Sequence, residues 1–195
     1  MATFAILPVK RFDRAKRRLR DELSATAVEA LAQSMFADVL RALTRVGGIE
    51  RILVITAEPR AGRLAREQDA IVIADDEQGH NAAALRGIDH ALKHGADHAL
   101  LVPGDCPLLD PIEVEDLIAR AASAGPEALI VPDRHGTGTN ALLLTPPDAL
   151  EPSFGPDSCR RHQEHAEARG VRTEVVEVPS LALDVDTPDD LKLAC

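Results

Sequence analysis

At 195 residues, with 45% hydrophobic and 28% charged side chains, the chain fits one globular domain large enough to bury a core. Four Phe and no Trp or Tyr leave Ala, Leu, Val and Ile to fill that core, and argue against an aromatic platform for stacking single-stranded bases. A net charge of -10 argues equally against a general nucleic-acid or membrane-surface binder.

Taken in order, strands alternate with helices. Thr3 to Val9 reads as a first strand. Seven of the 22 Lys and Arg follow between Lys10 and Arg20, against the single acid Asp13, and this basic stretch reads as a loop. On an acidic protein such a patch suits a small anionic ligand, although a solvated basic face has the same composition. Ser24 can cap a helix to about Val46, with Val28, Leu31, Ala32, Met35, Val39 and Leu43 at helical spacing and Gly47-Gly48 at its end. Arg51 to Thr56 is a second strand, Ala61 to Glu67 a short helix and Ala70 to Ala74 a third strand. The polar loop from Asp75 to His80 leads to a helix from Asn81 to about His94. Ala99 to Val102 is a fourth strand, and Pro111 opens a helix to about Ala122. Glu127 to Val131 and Ala141 to Leu144 are strands flanking a glycine-rich turn, Asp133 to Asn140. A helix from about Pro156 to Arg169, strands at Thr173 to Val178 and Leu181 to Val185, and a terminal helix from Pro188 complete the chain. This rhythm predicts a three-layer α/β fold with a mostly parallel sheet, in a single domain spanning 1–195.

Cys106, Cys159 and Cys195 are an odd number without framework spacing. With no signal-peptide pattern and no apolar run of membrane-spanning length, the expectation is a cytoplasmic protein with reduced thiols.

The chemistry centres on Leu100 to Asp110, LLVPGDCPLLD, where Asp105 follows a buried strand at the sheet end that binds ligands in open α/β folds. An Asp that merely caps the turn is the other reading. In Leu183 to Leu191, LDVDTPDDL, Thr187 fits an N-cap, Pro188 the first helical position, and Asp189 and Asp190 the first turn. Asp184 and Asp186 remain, two apart in an expected strand and so on one face. With Asp105 they are a plausible oxygen-ligand set for Mg²⁺. Two segments are candidates for anions: the basic loop with Lys10 and Lys16, and Ser153 to Ser158, SFGPDS, where free N–H groups at a helix start would join the Ser158 hydroxyl. An ordinary capped helix accounts for the latter equally. Cys159, His162 and His165 at three-residue spacing invite a zinc reading, but they drift around the helix and no fourth ligand is evident.

The segments LPVKRFDRAKRRL (7–19), VPGDCPLL (102–109), GTGTN (136–140), FGPDS (154–158) and DVDTPDDL (184–191) together resemble the 2-phospho-L-lactate guanylyltransferase family. That family includes phosphoenolpyruvate guanylyltransferases and serves the biosynthesis of the deazaflavin coenzyme F420. The resemblance spans nearly the whole chain. It implies a Rossmann-like nucleotidyltransferase fold of the glycosyltransferase-A-like type, and transfer of GMP from GTP to the phosphate of a small phosphorylated carboxylic acid, with release of pyrophosphate. Phosphoenolpyruvate is the first-ranked acceptor, ahead of 2-phospho-L-lactate and 3-phosphoglycerate, and a downstream transferase would use the product. By the same resemblance Asp105, Asp184 and Asp186 hold Mg²⁺, Lys10 and Lys16 meet the triphosphate, Gly79 and Asn81 lie near the nucleotide, and Thr139, Gly155 and Ser158 hold the acceptor. Two positions depart from the family's pattern: Arg17 replaces the Ser of a common AKSRL, and His80 stands where Leu is frequent.

The acceptor phosphate is already an anionic nucleophile, so this chemistry needs charge neutralisation and in-line positioning rather than a protein base. Two alternatives stay open. A nucleotidyltransferase acting on a pterin or sugar phosphate would be expected to carry a glycine-rich loop after the first strand, where this chain has none. A non-catalytic GTP-binding module would bind GTP without releasing pyrophosphate.

Overall fold

A computed structural model describes residues 1–121 and 125–194. Among these residues seven strands form one sheet in the order β3-β2-β1-β4-β6-β5-β7. They are β1 (Thr3–Val9), β2 (Ile49–Thr56), β3 (Ile71–Ala74), β4 (His98–Leu101), β5 (Glu127–Pro132), β6 (Thr139–Thr145) and β7 (Arg172–Val175). The helices are α1 (Ala25–Leu43), α2 (Pro59–Glu67), α3 (His80–Lys93), α4 (Pro111–Ala119), α5 (Ser158–Arg169) and α6 (Pro188–Leu193). The expected end of the fourth helix at Ala122, and Cys195, lie outside the described residues.

Strand alternation builds the three layers. In β1, Ala5, Leu7 and Val9 face one core with α1, α2 and α4, while Phe4 and Ile6 face a second core with α3 and α5. Both faces are covered, which is why the central strands read as unbroken apolar runs. α3 packs closest: a methyl group added at Gly87 would collide with Ile6 Cγ2 and stand 3.0 Å from Ile55 Cδ1. Gly87→Ala therefore lowers the melting temperature. Its gain of roughly 1 kcal/mol in helix propensity is outweighed by overpacking of about 1–3 kcal/mol against β-branched strand residues that cannot swing away. An unchanged or raised melting point would contradict this packing.

β1, β2, β3 and β4 are mutually parallel, as are β5 and β7, while β6 runs antiparallel to both β4 and β5. The sheet is thus mixed, mostly parallel, with one reversed strand. The basic stretch after β1 is more ordered than a plain loop, for it holds 3-10 turns at Phe12–Arg14 and Arg17–Asp21. Two strand expectations need correction. β7 stops at Val175 rather than Val178, and Leu181 to Val185 is no strand: Leu181 ends a 3-10 turn begun at Pro179, and irregular chain follows. Its backbone groups find partners in loops and in a side chain of β6 instead. Leu181 and Ala182 carbonyls accept from Asn140 Nδ2 and the Arg134 N–H, and the Val185 N–H donates to the Asp105 carbonyl.

Candidate active site

The site lies where the chain switches direction across the sheet. β1 is flanked by β2 and β4, and loops leaving β1 and β4 at their carboxyl ends open a crevice there. A cleft of about 200 Å³ is walled by Lys10, Lys16, Phe12 and Arg14 from the first loop, Pro103, Gly104 and Asp105 from the second, and His80 and Asp186. A second cavity of about 130 Å³ shares Lys10, Arg14 and His80 and adds Arg11, Asp75 and Gly79. A third, of about 30 Å³, lies between His80, Pro103, Thr139, Asn140 and Phe154. His80 lines all three.

Lys16 is the hub. Its backbone is left-handed, at φ 51°, and its side chain is 5% exposed. The ammonium donates to Asp105 Oδ2 and, at 2.7 Å, to Asp186 Oδ1. Burial opposes its charge, but Asp105 and then Asp186 outweigh that cost, so its pKa is raised above the ordinary lysine value. Asp184 is pushed up by burial first, then by Asp105 and Asp186, against a 3.3 Å hydrogen bond from Asn140 Nδ2. Two acids thus share one ammonium, and the third, Asp184, leans on Asn140.

Asp105, Asp184 and Asp186 do converge, but not by the strand geometry expected of them. The bond from the Val185 N–H to the Asp105 carbonyl, 3.1 Å, seats the irregular loop beside Asp105, where Asp186 turns to Lys16 and Asp184 to Asn140. Among the described residues no three His, Cys, Asp or Glu side chains form a ready metal-binding group. Lys16 stands between two of the carboxylates instead. The donor set still suits a hard cation: it is all carboxylate oxygen, it carries excess negative charge, and Asp105 Oδ1 is buried without a hydrogen-bond partner.

The remaining sequence candidates fall into two groups. Lys10 lines both the cleft and the neighbouring cavity, and Gly79, with φ 106° ahead of α3, lines the latter alone. Asn81 does not line them; its Oδ1 accepts from the Phe154 N–H at 2.8 Å and its Nδ2 donates to the Phe154 carbonyl. Thr139 lines the smallest cavity, whereas Gly155 and Ser158 line none of the three. The expectation of free N–H groups at the start of α5 is also corrected. Ser158 N–H donates to the Gly155 carbonyl and Cys159 N–H to the Thr137 carbonyl, because the turn folds back on β6's approach. Arg161 fastens this turn through Ser153 Oγ, the Ser153 carbonyl and the Pro156 carbonyl.

The roles of four residues escaped the sequence reading. Asn140, adjoining the GTGT run, ties β6 to the carboxylate loop. Asp190 was legible only as a helix-start acid; in the structure it closes the capping box with Thr187, accepts the Asp186 N–H at 3.1 Å and pairs with Arg134. Burial works to raise its carboxyl, but the Thr187 and Asp186 bonds and then Arg134 hold it below the usual range. Phe154 carries the rings of His80 and His162 edge-on, 5.0 and 5.4 Å between centroids. Burial, then Lys10, holds His80 below its ordinary pKa, so it fills its place as a neutral ring much as a Leu would.

Residues 3–194 match the family model described as "Guanylyl transferase CofC like". The chain belongs to this guanylyltransferase family. It is 53% identical over 192 residues to the phosphoenolpyruvate guanylyltransferase of Conexibacter woesei, covering 98% of this chain and 86% of that one. It is 35% identical to the 3-phospho-D-glycerate guanylyltransferase of Colwellia psychrerythraea, covering 99% and 91%. The fold is that of a nucleotidyl transferase from Methanothermobacter thermautotroptrophicus, with a TM-score of 0.70 at 20% identity over 100% of this chain and 95% of that one. As a member of the guanylyltransferase family the chain is a nucleotidyltransferase enzyme, and the Rossmann-like α/β expectation holds. No described helix is long and apolar enough to cross a membrane, and Cys106 and Cys159 are free and buried.

Proposed function

We propose that this guanylyltransferase, acting as one domain, moves GMP from GTP to the phosphate of a small phosphorylated carboxylic acid, phosphoenolpyruvate first, as a step toward coenzyme F420. An acceptor phosphate oxygen attacks the α-phosphorus of GTP, a new P–O–P bridge forms, and the electron pair of the broken bridge leaves with pyrophosphate. The observation that carries this reading is the junction at His80. There a cleft walled by Lys10, Arg14 and Lys16 meets the small cavity of Thr139 and Asn140, so a cationic wall and a set of neutral polar groups stand side by side, as two anionic substrates require. Lys10 and Lys16 take the triphosphate, Gly79 lies beside the nucleotide, and Asn81 supports that wall through Phe154. Thr139 meets the acceptor, with Gly155 and Ser158 shaping the turn behind it. Asp105, Asp184 and Asp186 would hold Mg²⁺, which supplies neutralisation of the converging phosphates. The names of the two relatives support the acceptor class and leave the choice within it to a few contacts.

Pyrophosphate release from GTP and Mg²⁺ with each acceptor tests the proposal. Turnover is expected with phosphoenolpyruvate, above that with 2-phospho-L-lactate or 3-phosphoglycerate, and more with GTP than with ATP. Preference for ATP, or release with none of the three acids, would overturn it.

A further inference from the structure

The Cys159, His162, His165 spacing makes no zinc site among the described residues, yet its central member has a well-defined setting. His162 is fully buried. Its Nε2 lies 2.9 Å from the Ser153 backbone nitrogen, and a backbone N–H only donates, so Nε2 presents a lone pair. A neutral ring with a bare Nε2 carries its proton on Nδ1. Nδ1 is 3.0 Å from Thr139 Oγ1 and therefore donates to it. Burial, reinforced by His165 and Arg161, lowers the ring's pKa to about 4, so this neutral form persists near neutrality.

The consequence falls on the hydroxyl. With Thr139 Oγ1 accepting from His162, its own hydrogen has to point elsewhere, and the residue lines the cavity shared with His80, Asn140 and Phe154. The opposite tautomer would draw that hydrogen toward Nδ1 and turn a lone pair on an anionic ligand. We infer that His162 is a positioning residue that fixes Thr139 as a hydrogen-bond donor to the anionic acceptor, with the Ser153 N–H selecting the tautomer. The inference rests on the reading above that Thr139 meets the acceptor. It also explains how one buried ring ties β6 to the 153–158 turn, the two segments assigned to that substrate.

Two substitutions separate the ring's two bonds. An Asn amide reaches the Nδ1 position and retains a donor for Thr139, whereas a Gln carbonyl reaches the Nε2 position and retains only the acceptor for Ser153. His162→Gln is expected to raise the KM for phosphoenolpyruvate about tenfold, the loss of one oriented hydrogen bond to an anion, with the KM for GTP little changed. His162→Asn recovers most of that loss. Thr139→Val raises the same KM about as much, and the double variant Thr139→Val, His162→Gln is no worse than either alone, because both remove one shared bond. An unchanged acceptor KM in His162→Gln, or losses that multiply in the double variant, would overturn the inference. An unchanged acceptor KM in Thr139→Val would instead overturn the acceptor role of Thr139. Nitrogen-15 NMR of the unsubstituted protein tests the tautomer without any variant: a proton on Nε2 refutes the mechanism, and a proton on Nδ1 supports it.

Discussion

Asp105→Asn is expected to fold normally and to lose turnover by at least about a hundredfold, the scale for removing a charged group aimed at phosphate chemistry. The change keeps side-chain volume and removes one negative charge from a cluster that holds three acids against one ammonium. Lys16 keeps Asp186 as a partner, and Asp184 loses a repelling neighbour, so the stability terms oppose one another. Catalytically nothing offsets the loss, because Asp105 supplies both a bond to Lys16 and the partnerless buried oxygen suited to a cation. Pyrophosphate release at saturating Mg²⁺, with a melting curve beside it, checks both halves. Near-parental turnover would remove Asp105 from the catalytic group, and a collapsed melting curve would make it a structural residue.

Lys16→Ala damages stability as well as chemistry. It leaves Asp105, Asp184 and Asp186 facing one another without a cation. Removing one partner of a sealed ion pair costs roughly 3–5 kcal/mol; with Asp186 49% exposed, water screens part of that, and a loss of about 2 kcal/mol is expected. The KM for GTP should rise and the rate fall, while the KM for the acceptor moves little. The pH response distinguishes this from simple loss of packing. In the parent the folded-state pKa of Lys16 is raised, so its contribution is full below the ordinary lysine value of 10.5 and is lost only as pH climbs through the raised value. The gap in melting temperature between parent and variant is therefore steady from neutral pH up to the ordinary lysine value and narrows as pH climbs beyond it. A gap that stays constant there would show that Lys16 acts as bulk rather than charge.

Most of the sheet was legible because burial on both faces forces apolar runs, as in Phe4 to Leu7 and Ala99 to Val102. The 181–185 segment misled for the same reason. Leu181 and Val185 are buried, but their backbone N–H groups bond to loops, and apolar alternation does not reveal whether the backbone's partner is a strand or a turn. Asp105, Asp186 and Lys16 were found through motif and charge, and the resemblance brought the acids together; the place of Lys16 between them was not legible, since it depends on how distant loops are seated. Asp190 and His162 were recognised as a helix-start acid and a member of a failed zinc pattern. Their roles lie in which atom faces which, and that information exists only after folding.

The reversed direction of β6 decides which end of that strand reaches the site. Because β6 runs against β4, with Leu101 opposite Leu142, the beginning of β6 rather than its end arrives beside Pro103, bringing Thr139 and Asn140 with it. On the proposed assignment, the triphosphate is met by a loop that leaves β1, whereas the acceptor is met by the hairpin that enters β6. Substitutions in residues 133–140 or 153–158 are therefore expected to change which acid is accepted more than which nucleotide is used.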